Sequence, residues 1–296
     1  PNNINKGWDW CSGYHYSDSI VIGFSHLHLN GTGCSDTGDI LFMPYIGNAR
    51  TQPGTQQDPL SGYASLYSKD NEQALPGYYE VLLKTHNTKV ELTASDRVAF
   101  HRYTFPKDAE KHVMINLKDA NGDDRPTNTY LEQMNDTVIR GYRHSTGWSK
   151  KQQIYFTAVF SQPIHLALYH DSVQVAGNHL QGLDVKGNVS IVSTKEELCV
   201  KVGISPVSMD NAMGNIQQEI KNWDFEKIVE ETTKKWNTEL SKLQVETNNV
   251  AAKRVFYTAL YHAFMQPIMF NDYNKEYRGT DKSIYGDPEF TNYTVF

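Results

Sequence analysis

The stretch YEVLLKTHNTKVELTASDRVAFHRYTF, residues 79–105, contains three apolar-rich segments separated by polar turns. In the first two segments every second residue is apolar, and the polar pair His86-Asn87 lies between them. The alternating apolar positions are Tyr79, Val81, Leu83, Val90 and Leu92. A period of two is typical of strands with one buried face. The stretch therefore predicts consecutive antiparallel strands, the third at residues 98–105.

Short segments of the same kind continue towards residue 205. They lie at residues 112–117, 153–160, 164–169, 189–193 and 198–204. Turn-forming sequence divides them, such as NGDD at 121–124. Many short strands with frequent turns are typical of two packed antiparallel sheets. The chain is therefore predicted to be mainly β, with an antiparallel β-sandwich over residues 1–207.

Helical patterns replace this alternation after Pro206. Asp224 is a suitable N-cap, and apolar residues follow it at three- and four-residue spacing. A second helix is predicted at residues 250–266, just before Pro267. Apolar side chains cover much of its circumference, so we expect it to be buried. Strands followed by a buried helix therefore predict that an α domain begins in this region.

The bulk composition excludes several function classes. Net charge is −6, and acidic and basic residues are interspersed, so nothing favours a nucleic-acid backbone. No apolar run approaches the ~20 residues of a membrane span. The cysteines are Cys11, Cys34 and Cys199. A Cys11–Cys34 disulfide in an oxidising compartment and buried free thiols are both compatible with this sequence.

The segment GWDWCSGYHY at 7–16 combines aromatic residues, a carboxylate and a histidine between glycines. Aromatic rings stack on the apolar faces of a pyranose, and short polar groups bind its hydroxyls. Trp8, Asp9 and Trp10 are therefore candidate sugar-binding residues. The alternative is a tight turn that carries surface aromatics.

A histidine pair and a glycine-rich loop follow. In FSHLHL at 24–29, a strand would place His26 and His28 on one face. Paired histidines at this spacing are hydrogen-bonded structural residues or zinc ligands. The loop NGTGCSDTGD at 30–39 lets backbone approach a ligand closely, and Gly33, Cys34 and Asp36 are candidate ligand contacts.

The loop also carries two carboxylates, Asp36 and Asp39. They are compatible with a catalytic pair, with a site for a hard cation, or with the capping of local turns. The five other histidines in or near predicted strands are expected to be structural. These are His101, His112, His144, His165 and His170.

Several long segments of the chain strongly resemble glycoside hydrolase family 92, whose members are exo-α-mannosidases, mostly bacterial. The similar segments are GWDWCSGYHYSD at 7–18, GFSHLHLNGTG at 23–33, CSDTGDILFMP at 34–44, HRYTFP at 101–106, KVGIS at 201–205, the helix at 223–237, FYTALYH at 256–262 and YRG at 277–279. The resemblance runs from near the first residue to the last.

The resemblance implies a fold and an activity. In this family an N-terminal β-sandwich, linker helices and an (α/α)6 barrel follow one another, which implies a sandwich at 1–207, a helical linker at 208–248 and the start of the barrel at 249–296. It also implies a Ca²⁺-dependent inverting exo-α-mannosidase that acts on mannose-containing glycans, such as N-glycans or mannans. A periplasmic or secreted location is implied as well.

The resemblance places the general acid and the general base in the barrel. We therefore expect the catalytic residues beyond Phe296, and few of the Ca²⁺ ligands in this chain. The chain itself is expected to supply sugar-binding loops. Two other hypotheses remain: a carbohydrate-binding sandwich module without catalysis, and a zinc enzyme that uses His26, His28 and Asp36.

Overall fold

The computed structural model describes residues 2–5, 10–28, 37–120, 124–289, 291 and 293–294. These residues form strands and three α-helices, together with a short 3-10 helix at Lys69–Asn71. The strands are β1 Ile20–Val21, β2 Leu27–His28, β3 Thr37–Asp39, β4 Leu41–Ile46, β5 Ser65–Leu66, β6 Glu72–Leu75, β7 Tyr78–Leu83, β8 Thr88–Ala94, β9 Val98–Thr104, β10 Lys111–Asn116, β11 Arg125–Asn135, β12 Val138–Thr146, β13 Gln152–Phe160, β14 Ile164–His170, β15 Val173–Val175, β16 His179–Gly182, β17 Val185–Ile191, β18 Glu197–Ser205, β19 Ile268–Met269, β20 Glu276–Arg278, β21 Ile284–Gly286 and β22 Tyr293–Thr294. The helices are α1 Met209–Glu219, α2 Phe225–Leu240 and α3 Val250–Ala263.

Most of the strands belong to two antiparallel sheets. One sheet has nine strands in the order β16-β11-β12-β13-β18-β9-β8-β7-β6, and the other has five in the order β15-β14-β17-β10-β4. The remaining strands pair in twos, among them β2 with β3 beside the glycine-rich loop. The predicted mainly β, antiparallel sandwich is confirmed.

The core lies between the two sheets and is built by the alternation that the sequence shows. Phe42, Ile115 and Val189 face it from the five-stranded sheet, and Leu131 and Phe156 face it from the nine-stranded sheet, all fully buried. Burial of each large apolar side chain stabilises the fold by about 1.5–3 kcal/mol. The core therefore holds the two sheets together.

The helices attach to the outer face of the nine-stranded sheet. Asp224 caps α2 as predicted, since its side chain accepts a hydrogen bond from the Lys227 amide. Helix α1 begins after Ser208 and packs on β18 and β13. It falls within the helical linker that the resemblance implies, but no helical pattern located it in the sequence. Among the described residues, none of the helices has the length and apolar character that crossing a membrane requires.

The second helix, predicted to be buried in an α domain, is not buried by the described residues of this chain. None of the residues of α3 is buried, and Val250 and Val255 are 73% and 69% exposed. It packs against α2, and the centre of the Tyr261 ring in α3 lies 4.6 Å from that of Trp236 in α2. One neighbouring helix covers one face, so the apolar residues on the other faces remain in solvent.

Gly203 in β18 allows α1 to approach the sheet. A Cβ at this position would lie 2.2 Å from the Ala212 carbonyl oxygen and 2.8 Å from Ile216 Cγ1. A backbone oxygen cannot move aside as a flexible side chain does, so the helix itself would have to shift.

We expect Gly203→Ala to lower the free energy of unfolding by about 1–3 kcal/mol, because the added methyl group overpacks the contact between β18 and α1. Denaturant unfolding followed by circular dichroism measures this change. Gly286→Ala is the matched control, since the nearest atom to its Cβ is 3.6 Å away. Equal stability of the two variants would contradict the tight contact.

Candidate functional site

A buried ion cluster fixes the described end of the glycine-rich loop. Arg143 of β12 is fully buried and contacts Asp39 through Nη1, which also lies 2.7 Å from Asp124 Oδ2. Its Nε donates to the Leu117 carbonyl at 2.9 Å, and Gln152 Nε2 donates to Asp39. Burial opposes the charge on Arg143, but the two carboxylates outweigh it and raise the pKa of the guanidinium further. Asp39 is therefore an anchor for the loop.

The backbone on both sides of Asp39 is strained. Thr37 and Ile40 have φ angles of 61° and 59°, in the left-handed region that β-branched residues avoid. Such conformations cost roughly 1–3 kcal/mol each and persist where the surroundings fix them. The ion pair between Asp39 and Arg143 supplies that restraint.

His26 belongs to a partly buried series of hydrogen bonds. Its Nδ1 lies 2.7 Å from the Ile40 carbonyl, which can only accept, so Nδ1 carries the proton. In a neutral ring Nε2 is then the acceptor, and His101 Nε2, 3.0 Å away, must donate to it. His101 Nδ1 in turn accepts from the Tyr103 hydroxyl at 2.5 Å. The rings of His26 and His101 are stacked, with centroids 4.9 Å apart.

Burial keeps both rings neutral. It lowers the pKa of His26 from 6.5 to about 4, although the hydrogen bond to the Ile40 carbonyl by itself raises this pKa. Burial and the neighbouring His26 lower the pKa of His101 well below 6.5. A sugar hydroxyl would have to displace Ile40 or His101 to reach a ring nitrogen of His26. The prediction that His26 binds sugar directly therefore requires one of these bonds to break.

A cleft of about 850 Å³ lies between the end of the nine-stranded sheet and the segment after α3. Its walls carry amides, guanidinium groups, carboxylates and hydroxyls beside apolar side chains. The polar residues that line it include Thr37, Arg97, Gln152, Ser205, Gln266, Asn271, Asp272 and Arg278. Leu27 and Thr37 bring the two ends of the hairpin that carries the glycine-rich loop to this cleft.

Two amide side chains in the cleft wall have unsatisfied hydrogen-bonding groups. The side-chain oxygen and nitrogen of both Gln266 and Asn271 are buried and have no hydrogen-bond partner among the described residues. Asn271 as a whole is 2% exposed. Nearly all buried polar groups in proteins are hydrogen-bonded, so unsatisfied amides beside a cleft indicate a polar ligand or bound water. Neither residue was predicted as part of a site, because a single Gln or Asn in loop-like sequence carries no distinctive signal.

Asp272 ties the same segment to α1 and to the end of β18. Its carboxylate accepts from Ser205 Oγ at 2.6 Å, Asn211 Nδ2 at 2.9 Å and Asn215 Nδ2 at 2.8 Å. Burial raises the pKa of Asp272, while these three donors oppose the shift. Both oxygens are engaged, so Asp272 acts as a structural anchor.

The described part of the N-terminal aromatic segment forms a closed loop. Trp10 Nε1 donates to Asp18 Oδ1 at 2.7 Å, and Asp18 Oδ2 accepts from the His15 amide at 2.8 Å. Tyr14 is held by Lys69 Nζ, 2.7 Å from its hydroxyl. Trp10 is half-buried, and its indole N–H is engaged with Asp18. A sugar would therefore meet the ring of Trp10 and not this donor.

The other candidate site residues cannot be placed to the same detail. Trp8, Asp9, Gly33, Cys34 and Asp36 lie outside the described residues, as do residues 121–123 of the turn predicted at 121–124. The backbone of His28 lies in β2, but its side chain is outside the described set. Their sugar-binding roles stay predictions. Cys199 is buried, and burial raises the pKa of its thiol to about 12, so this cysteine is not a nucleophile.

Comparison with known proteins identifies the family. The family model described as the glycosyl hydrolase family 92 N-terminal domain matches residues 1–205, and the model of the catalytic domain of that family matches residues 211–296. The chain belongs to glycoside hydrolase family 92. The junction between the two matches falls where β18 ends and α1 begins.

Relatives of this family 92 chain include both solved structures and a sequence relative. An α-mannosidase of Bacteroides thetaiotaomicron is 34% identical with a TM-score of 0.93, and the match covers 98% of this chain and 40% of that one. Another family 92 glycosyl hydrolase is 27% identical with a TM-score of 0.86, over 96% and 39% of the two chains. An uncharacterized secreted glycosidase of Arthroderma benhamiae is 24% identical over 89% of this chain and 37% of that protein. The family 92 chain thus spans about 40% of the length of the structures it matches.

Removal of the guanidinium from the buried cluster should destabilise this family 92 chain strongly. We expect Arg143→Met to lower the free energy of unfolding by about 3–5 kcal/mol, because Asp39 and Asp124 would be left buried together without a cation. Arg140→Met is the matched control: Arg140 lies on the same strand, and its partly exposed pair with Glu132 is worth at most about 1 kcal/mol. A similar small loss for both variants in urea unfolding would show that the cluster is not essential.

The histidine pair should make stability depend on pH. The pKa of His26 is about 4 in the folded chain and 6.5 in the unfolded chain. Its contribution to the free energy of unfolding is therefore complete above pH 6.5 and is lost as the pH falls towards 4. The loss from His26 amounts to about 3 kcal/mol at 1.36 kcal/mol per pKa unit, and His101 acts in the same direction.

Urea unfolding at several pH values between 7 and 4 measures this dependence. The double variant His26→Leu/His101→Phe should lose stability less steeply over this range than the natural sequence. His165→Gln, at an exposed position, is the control and should follow the natural sequence. Parallel curves for the double variant and the natural sequence would contradict the neutral pair.

Proposed function

We propose that the protein containing this chain removes terminal α-linked mannose from glycans, and that this chain forms one wall of the sugar site. The observation that carries the proposal is the similarity to a family 92 α-mannosidase, at 34% identity and a TM-score of 0.93 over 98% of this chain. That enzyme has also been solved in complex with mannoimidazole. The proposal transfers a mannosyl substrate from the relative to this chain.

The chemistry of the cleft supports a carbohydrate ligand. A volume of about 850 Å³ is of the size that accommodates small ligands. Amides with both a donor and an acceptor suit sugar hydroxyls, which also donate and accept. In the proposed site the unsatisfied groups of Gln266 and Asn271 bind hydroxyls or the waters that bridge to them.

We also propose an inverting mechanism in which the acid and the base come from elsewhere in the protein. Inverting glycosidases use two carboxyl groups about 6.5–9.5 Å apart, one to protonate the leaving group and one to activate water. In this chain Asp39 is paired with Arg143, and Asp272 accepts three hydrogen bonds. Neither of these two is free for that chemistry, and the other two carboxylates that line the cleft are also engaged, Asp96 by Lys235 Nζ at 2.9 Å and Asp281 by the Tyr285 hydroxyl at 2.7 Å. The chain contributes binding and orientation of the sugar.

The calcium requirement is part of the same proposal. Calcium takes six to eight oxygen ligands, several of them carboxylates. Within the part of the chain that the structure describes, no three His, Cys, Asp or Glu side chains are grouped to hold a metal ion. These residues do not fit a calcium site, so we assign the ligands to the remainder of the protein and derive no step through the metal.

We propose the domain boundaries and the location on the same basis. A sandwich at 1–207, a linker at 208–248 and the first part of a barrel at 249–296 agree in order with the two family matches. A secreted or periplasmic enzyme is consistent with the secreted glycosidase among the relatives.

The two other hypotheses are less well supported. A carbohydrate-binding module without catalysis does not account for residues 211–296, which match the catalytic-domain model. A zinc enzyme would need the ring nitrogens of His26, and both are hydrogen-bonded to protein atoms.

The activity is tested with a longer protein that continues past Phe296 into the rest of the catalytic domain. We expect it to hydrolyse an aryl α-mannoside with Ca²⁺ and to lose this activity in a chelator, while the 296-residue chain alone shows none. An aryl α-glucoside is the substrate control. Turnover by the 296-residue chain would refute the assignment of acid and base to other parts of the protein.

The contribution of the glycine-rich loop is tested in the same longer protein. Asp36→Ala should lower kcat/KM about tenfold, the effect of one lost hydrogen bond to the bound sugar. Asp58→Ala, at an exposed loop position, is the matched control. Normal kinetics for Asp36→Ala, or a loss explained by unfolding, would make the loop structural.

A further inference from the structure

Three tyrosines form a row across the outer face of the nine-stranded sheet. Tyr130 of β11 pairs with Tyr142 of β12, and Tyr142 pairs with Tyr155 of β13. The neighbours of Tyr142 along β12, Gly141 and Arg143, are buried on the inner side. Alternation therefore turns the three tyrosines outward, where each is partly exposed. We call Tyr130, Tyr142 and Tyr155 the tyrosine strip.

The rings of the tyrosine strip contact one another. The centroids of Tyr130 and Tyr142 are 5.4 Å apart with nearly parallel planes, and those of Tyr142 and Tyr155 are 5.7 Å apart and tilted. Neighbouring strands are about 4.8 Å apart, so the strip extends about 10 Å between its outer strands. Rings fixed in this way offer a long amphipathic surface at little further cost in side-chain entropy.

Polar side chains border the strip on one side. Asn128 Nδ2 donates to the Tyr142 hydroxyl at 3.2 Å, and Gln181 Nε2 donates to Asn128 Oδ1 at 3.1 Å. His144 stacks on Tyr142 at 4.5 Å, and its buried Nε2 has no hydrogen-bond partner among the described residues. The amide groups of this border suit a ligand that carries hydroxyls, while the His144 ring packs on Tyr142.

The face is also close to neutral in charge. Beside the strip, Arg140 is paired with Glu132 at 2.9 Å. Arg278, whose guanidinium lies 5.7 Å from the centre of the Tyr155 ring, donates to the carbonyls of Pro206, Val207 and Lys282. Its charge is therefore directed at backbone oxygens. This surface favours a neutral ligand over a phosphate or a nucleic acid.

The strip is continuous with the cleft described above. Gln153 and Arg278 line the cleft, and Gln153 is the cross-strand partner of His144. Arg278 also contacts Tyr155 at the near end of the strip. A ligand that leaves the cleft past Arg278 therefore meets Tyr155 first, then Tyr142 and Tyr130.

We propose that the tyrosine strip binds a neutral oligosaccharide, namely the part of a glycan that extends beyond the sugar held in the cleft. The proposal rests on the proposed function, because it takes its ligand to be the remainder of a mannosylated substrate. Sugar rings pack against the tyrosine side chains, and their hydroxyls bond to the tyrosine hydroxyls, Asn128 and Gln181. The strip then selects for longer glycans without touching the bond that is cleaved.

Titration calorimetry of the 296-residue chain with a linear α-mannotetraose tests the proposal. Binding is expected, and Tyr142→Ala should weaken it about tenfold. Tyr142→Phe keeps the ring and should lose less. Val192→Ala is the control and should bind normally. Val192 is 69% exposed and directly follows β17 of the five-stranded sheet. Equal affinity for Tyr142→Ala and the natural sequence, or no binding by the natural sequence, would overturn the proposal.

Hydroxyl-radical footprinting gives a second measurement that needs no variant. Oxidation of Tyr130, Tyr142 and Tyr155, read by mass spectrometry, should fall when mannotetraose is added. Unchanged oxidation despite binding would place the ligand elsewhere and overturn the proposal. Protection of the three tyrosines in the longer protein without sugar would assign the strip to a protein contact, which also overturns it.

The same probes separate this proposal from the proposed function. In the longer protein, Tyr142→Ala should leave the hydrolysis of an aryl α-mannoside unchanged and lower only the rate on mannotetraose. Binding of cellotetraose at the strip, with no turnover of any α-mannoside, would support an oligosaccharide strip and refute the mannosidase assignment.

Discussion

The charge of Arg143, fully buried between the two sheets, is the constraint on which the arrangement of the site depends. A guanidinium in this position is tolerated when nearby groups neutralise it and accept its hydrogen bonds. Asp39 comes from the end of the glycine-rich loop, Asp124 from the segment before β11, and the Leu117 carbonyl from the end of β10. One side chain thus ties the end of the glycine-rich loop to both ends of the connection between β10 and β11, at the edge of the sandwich where the loop ends.

The histidine pair extends this fixed region to β9. The His26 amide donates to the Asp39 carbonyl, and its ring reaches the Ile40 carbonyl, so the loop hairpin is held on both of its strands. His101 and Tyr103 complete the chain of hydrogen bonds from the opposite side. Each of these hydrogen bonds has one donor and one acceptor only when both imidazole rings are neutral. The fold therefore requires the neutral form of His26 and His101. The loop therefore rests on rigid elements, as a binding loop must if it is to hold a sugar in one orientation.

The strands at residues 79–105 were predictable because their alternation is regular, and the helix after Asp224 because its cap and its spacing agree. The hairpin of β11 and β12 was missed, since its inward positions include Thr129, Gly141 and Arg143 while tyrosines occupy outward positions, which conceals its alternation. Helix α1 was missed because its buried face is short. The site was predictable as a region, from the aromatic segment and the glycine-rich loop. Its partners Arg143, Asn271 and Gln266 were not, because an ion pair or an unsatisfied amide depends on contacts distant in sequence.

The division of the site between segments follows from the sandwich itself. Its sheets bury their facing sides, so loops at the edge and the outer face of the nine-stranded sheet are left to bind ligands. The same strands serve both purposes: in β12 the inward Arg143 fixes the loop, while the outward Tyr142 and His144 lie on the surface that leads away from the cleft. A substitution on one face of β12 should therefore affect the loop, and one on the other face should affect the surface. Because side chains alternate between the two faces of β12, its inward residues determine the stability of the site. Its outward residues determine the interaction with an extended ligand.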